Sequence, residues 1–129
     1  MFTVDLCEGK ILLKKNMLLE DLQKLFGQYD FSIREQNEVI IYCGECSFDK
    51  KTKAIVHLYL NKETNVLESG NIDLFPINFD HIQTSLLKKY GKPTIKNENE
   101  YSWEFNDGKV GHRLSDRFGE MEGIYFSFK

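Results

Sequence analysis

The chain has 129 residues, 41% of them hydrophobic and 13% aromatic, which is enough for one core and too little for two. Its charges are mixed in sign and sum to -3 at pH 7, with a pI near 5.6, which argues against a binder that works by neutralising nucleic-acid phosphates. The longest apolar stretches, Val39 to Cys43 and Ala54 to Leu60, are strand-length and too short to cross a bilayer.

The opening residues Met1 to Glu8 alternate apolar and polar and lack the basic start and long apolar run of a secretory signal, so the expected location is the cytoplasm. Three cysteines, Cys7, Cys43 and Cys46, are an odd number in a domain of this size and suit reduced thiols better than a disulfide framework.

In chain order, Phe2, Val4 and Leu6 alternate, Glu8-Gly9-Lys10 turns, and Ile11-Leu12-Leu13 returns, which predicts a short hairpin. A helix follows. Asn16 or a neighbour caps it, Leu18, Leu22, Leu25 and Phe26 share one face, and Gly27 is expected in the left-handed C-terminal position. Glu38 to Cys43 and Ala54 to Leu60 are rich in β-branched and aromatic residues and should pair across the polar link Asp49 to Thr52. Val66-Leu67 and Ile72 to Phe75 offer a further strand, with a break expected at Ser69-Gly70.

A second helix begins beyond Pro76, with Asn78 as N-cap and Ile77 and Ile82 as a hydrophobic staple. Its buried stripe is Phe79, Ile82, Leu86 and Tyr90, and Gly91 and Pro93 end it. Tyr101 to Phe105 alternates, Asn106-Asp107-Gly108 is a hairpin turn, Lys109 to Leu114 returns, and Gly123 to Phe128 closes the chain. Tyr101, Trp103 and Phe105 should face the core, with Ser102 and Glu104 on the other side. The expected fold is one α+β domain over residues 1–129: an antiparallel sheet with two helices on one face. Its halves, 1–75 and 76–129, read as helix-plus-meander pseudo-repeats.

Cys43-Gly44-Glu45-Cys46 is the one pattern with a chemical name, since CxxC spacing can serve redox exchange or hold zinc. The setting does not suit either use. A redox pair of this kind opens a helix, whereas Ser47 to Lys50 leads into a turn, and Cys7, His57, His81 and His112 are scattered singly rather than forming a second ligand pair. The reading is therefore of structural thiols, with no metal and no cofactor. No nucleophile motif, phosphate loop or HExxH pattern occurs, so no catalytic residue is assigned and the chain is read as non-enzymatic.

Carboxylates gather in the last third, at Glu98, Glu100, Glu104, Asp107, Asp116, Glu120 and Glu122, beside Tyr101, Trp103 and Phe118. As an acidic, aromatic-studded surface this region would dock on a basic protein partner, with Glu104, Asp116, Phe118, Glu120 and Glu122 as the contact residues. The alternative is a solvated face with no partner.

The Tyr90-Gly91-Lys92-Pro93 helix end, the Trp103 strand, the Asn106-Asp107-Gly108 turn and the aromatic closing strand resemble small bacterial toxin-immunity proteins. In plan the paired halves are also similar to β-lactamase inhibitor proteins and small outer-membrane assembly lipoproteins, although the export signal and lipid-acceptor cysteine of exported relatives are missing. The resemblance implies a cytoplasmic protein that binds and neutralises a cognate toxin, with no nucleic-acid or membrane partner. Two other functions compete with it: a small thiol-dependent metal or redox protein using Cys43 and Cys46, and an adaptor whose sheet edges pair with another chain.

Overall fold

The computed structural model describes residues 1–115 and 120–129. The chain runs β1 (Val4–Leu6), β2 (Ile11–Leu13), α1 (Leu19–Leu25), β3 (Phe31–Gln36), β4 (Val39–Ser47), β5 (Lys53–Asn61) and β6 (Leu67–Phe75). It continues through α2 (Phe79–Tyr90), β7 (Ile95–Lys96), β8 (Glu100–Phe105), β9 (Gly108–Ser115) and β10 (Met121–Phe128). β1 and β2 form a hairpin, and the other strands make one eight-stranded antiparallel sheet in the order β3-β4-β5-β6-β10-β9-β8-β7. Each helix is thus followed by a four-stranded meander, and the last strands of the two meanders, β6 and β10, pair at the centre of the sheet. No helix among the described residues is long and apolar enough to cross a membrane.

Successive side chains of a strand point to opposite faces, so the register divides the sheet into two surfaces. On the inner face, Tyr42, Leu58, Gly70, Phe126, Val110 and Trp103 stand side by side across six strands. Both helices lie here. Phe26 of α1 packs edge-on against Tyr42, while α2 sets Phe79 on His112 and Tyr90 on Trp103. The β1–β2 hairpin joins the same layer, with Phe2 stacked on Phe105 at 5.0 Å between ring centres. Leu6, Leu13, Leu22, Phe26, Leu58, Leu60, Ile72 and Ile82 are all buried in this one cluster.

Several details depart from the sequence expectation. β3 was not anticipated: Phe31 and Ile33 alternate in it, and Asn37, in the left-handed region at φ 56, turns the chain between the paired residues Gln36 and Val39. α1 is not capped by Asn16. Its N-cap is Leu18, whose backbone N–H donates to the Asp21 carboxylate at 2.9 Å, and Gly27, which follows the C-cap Phe26, does not adopt the left-handed conformation. α2 does begin after Asn78 and end at Gly91, which adopts φ 81 and donates to the Leu87 carbonyl at 2.8 Å.

β6 also runs through Ser69-Gly70 without the expected break. Gly70 is the direct cross-strand partner of Phe126, and a Cβ at Gly70 would lie 2.5 Å from that ring, so the aromatic occupies the space the glycine leaves. The same arrangement recurs where Phe31 covers Gly44 and Tyr125 covers Gly111, each ring lying over its cross-strand partner. Glycine weakens a strand by itself, and a ring folded over it restores the lost contact. Gly70→Ala should therefore overpack the centre of the sheet and cost about 1–3 kcal/mol in chemical denaturation. Adding Phe126→Leu should recover part of that loss, giving a favourable coupling in a double-mutant cycle.

Candidate functional site

The opposite, outer face of the sheet carries no helix among the described residues. Three central side-chain rows cross it. One runs Glu45, Ile55, Asp73, Gly123, Arg113, Glu100, and the next Cys43, His57, Asn71, Tyr125, Gly111, Ser102. A third runs Arg34, Ile41, Tyr59, Ser69, Ser127, Lys109, Glu104.

Tyr125 organises the middle of this surface. Its ring leans over Gly111, and its hydroxyl donates to Glu100 Oε2 at 2.7 Å. Lys109 and Arg113 flank the ring at 5.6 Å and 5.3 Å from its centre. Burial, the hydrogen bond to Glu100 and the Glu100 charge together push the phenol pKa up to about 12, against a smaller lowering by Arg113. The hydroxyl is therefore a fixed donor at neutral pH. On the neighbouring strands Asn71 Nδ2 donates to the Tyr59 hydroxyl at 3.2 Å.

Of the five expected contact residues, Glu104 and Glu120 are exposed, and Glu104 stands on the outer face opposite Lys109. Asp116 and Phe118 lie outside the described residues. Glu122 is corrected: it points inward and is 2% exposed. Its Oε1 accepts the Asn78 N–H at 2.8 Å, at the start of α2, and its Oε2 lies 2.6 Å from His112 Nε2. His112 Nδ1 in turn lies 2.7 Å from Gln83 Oε1, so the imidazole bridges α2 and Glu122. The physical reason is the pleat. Glu122 sits in the inner row with Cys46, Ala54, Leu74 and Leu114, one residue out of phase with the outward-facing Gly123. A carboxylate at a helix N-terminus is also favoured by the helix dipole, which partly offsets its burial.

The two cysteines of the CxxC pattern do not meet. Residues three apart on a continuous strand point to opposite faces, and β4 is continuous through Cys43 and Cys46. Cys43 turns outward, within 4.0 Å of the Ser32 hydroxyl, whereas Cys46 is buried in the same core cluster as Cys7 of the hairpin. Interaction between the two buried thiols lowers the pKa of Cys46 and, with burial, raises that of Cys7. No cluster of metal ligands occurs among the described residues.

The histidines fall in three settings. His57 is on the outer face, in phase with Ile55 and Tyr59, and His81 in the first turn of α2 meets Asp49 at 2.7 Å. His112, read from the sequence only as a hairpin residue beside Arg113, is fully buried. Its period-two placement with Val110 on the inner side was the available signal.

Comparison with protein-family models, with curated proteins and with solved structures returns no match.

Glu122→Ala should cost about 3–5 kcal/mol in urea denaturation, because it strips a buried network of one partner. Glu104→Lys and Glu120→Lys should each stay within about 0.5 kcal/mol of the wild type. In native buffer an aromatic disulfide reagent should titrate Cys43 fast and Cys7 and Cys46 only on unfolding. Three equally fast thiols would contradict the buried pair.

Proposed function

We propose that this chain is a non-enzymatic protein-binding module of the toxin-immunity kind, which docks on a basic partner protein through the outer face of its sheet. The observation that carries this reading is the organised state of that face. Tyr59 and Tyr125, half-buried and hydrogen-bonded, stand with Arg113 among charged residues on a rigid sheet. Tyr and Arg are among the residue types that dominate interface energies, and side chains already held in place lose little entropy on binding.

Size and charge support the same reading. Strands about 4.8 Å apart make the eight-stranded face about 34 Å wide, and six-residue strands make it about 20 Å long. The outline of about 700 Å² is close to the ~800 Å² that each partner contributes to a standard interface. On the outer face Glu45, Asp73, Glu100 and Glu104 are interspersed with Arg34, Lys53, Lys109 and Arg113. The net charge of -3 of the whole chain favours encounter with a basic surface. The cytoplasm is the compartment that suits such an inhibitor.

The test is calorimetric titration of the chain with the C-terminal domain of a toxin-like protein encoded beside it, if the source genome has one. The expected result is one-to-one binding that abolishes the toxin's activity, weakened about tenfold or more by Tyr59→Ala with Tyr125→Ala. Absence of binding, or unchanged affinity in the double variant, would reject the toxin or the docking face respectively.

A thiol redox protein is a second reading, favoured by the interaction between Cys7 and Cys46, which takes the place of the Cys43–Cys46 pair in the alternative raised by the sequence. Both sulfurs are buried, so it requires an oxidant that reaches the core. The thiol titration described above separates the two readings.

A further inference from the structure

At the centre of the uncovered face one carboxylate, Asp73, has no cation facing it across the strands. Arg113 has Glu100 directly opposite it on β8 and the Tyr125 ring beneath it. Asp73 has no such neighbour. Its cross-strand partners are Ile55 on β5 and Gly123 on β10, and no ion pair of Asp73 occurs among the described residues.

Space lies beside it. Gly123 contributes no side chain, and Tyr125, two residues on, leans away over Gly111, so a groove of about 380 Å³ opens along β10. One wall holds Asp73, Asn71, His57 and Tyr59, and the other holds Arg113 and Tyr125. Because Asn71 spends its amide nitrogen on the Tyr59 hydroxyl, its carbonyl oxygen remains as a second acceptor near Asp73.

We propose that this groove, where the two meanders meet, is the anchor that receives a lysine or arginine side chain of the protein partner, with Asp73 as its counter-charge. The inference rests on the protein-binding reading and names the residue class that the partner must present. A long basic side chain suits both parts of the groove: its stem lies along the faces of Tyr59 and His57, and its head reaches Asp73 and the Asn71 oxygen. A carboxylate does not suit it. Asp73 would repel an anion, and Arg113 already faces Glu100.

The experiment titrates isotope-labelled protein with N-acetyl-arginine amide, following the amide signals of Gly123 and Gly111 and the side-chain amide of Asn71. N-acetyl-norleucine amide serves as the uncharged match and N-acetyl-glutamate amide as the anionic one. Saturable shifts centred on Gly123 and Asn71 are expected with the arginine probe and not with the other two. Asp73→Asn should weaken them about threefold to fivefold, the range for a partly exposed ion pair, and Glu20→Gln, an exposed acid on α1, should leave them unchanged. Shifts spread over all exposed carboxylates, or a groove that prefers the glutamate probe, would overturn the proposal, as would an Asp73→Asn variant that binds arginine equally well. None of these probes involves a toxin. An arginine site in a chain that binds no toxin keeps the anchor and removes the immunity reading, whereas toxin binding indifferent to Asp73→Asn removes the anchor alone.

Discussion

The pleat of the β-strand is the constraint on which the rest of this structure depends. Because side chains alternate between faces, one residue of phase decides whether a group lies among the helices or on the open surface. Glu122 and Gly123 are adjacent, yet the first closes a buried network with His112 and the second forms the floor of an open groove. Cys43 and Cys46 share a sequence motif but point to opposite sides of β4.

The two faces solve different problems. The inner one gathers apolar side chains from seven of the eight strands, two helices and the N-terminal hairpin, and burial of that area is the main source of stability. Glycines placed opposite aromatic residues let rings lie flat across the sheet on both faces, at Gly44 and Gly70 inside and at Gly111 outside. The outer face makes few apolar contacts and invests in positioned polar groups instead. Tyr125 is held there by Gly111 below it, Glu100 at its tip and cations on either side. Such a surface is suited to recognition because its residues are already placed when a partner arrives.

The junction of β6 and β10 links the two halves and also carries the candidate groove. Neither strand is near the other in sequence, and their pairing brings Asp73 of the first meander to the strand beside Arg113 of the second. An acid and a base separated by a bare glycine strand thus arise from the closure of the sheet rather than from any local motif. The same closure brings Gln83, His112 and Glu122 together beneath α2, where they tie the helix start to strands β9 and β10.

Much of this fold was legible in the amino-acid sequence. Alternating and helical periodicity located both helices, the N-terminal hairpin and most strands, and the turn residues Asn106 to Gly108 and Gly91 marked boundaries that the structure keeps. Period-two phase also placed Trp103 in the core and Glu104 outside it. β3 escaped because its exposed edge residues, Ser32, Arg34 and Gln36, dilute the apolar signal, and the acidic C-terminal surface was drawn too wide because proximity in sequence hides the pleat. Local pattern therefore determined what each segment becomes. Tertiary structure alone decided which strands meet, and with that the Cys7–Cys46 interaction, the His112–Glu122 network and the groove beside Asp73, since each depends on the pairing of residues far apart in the chain.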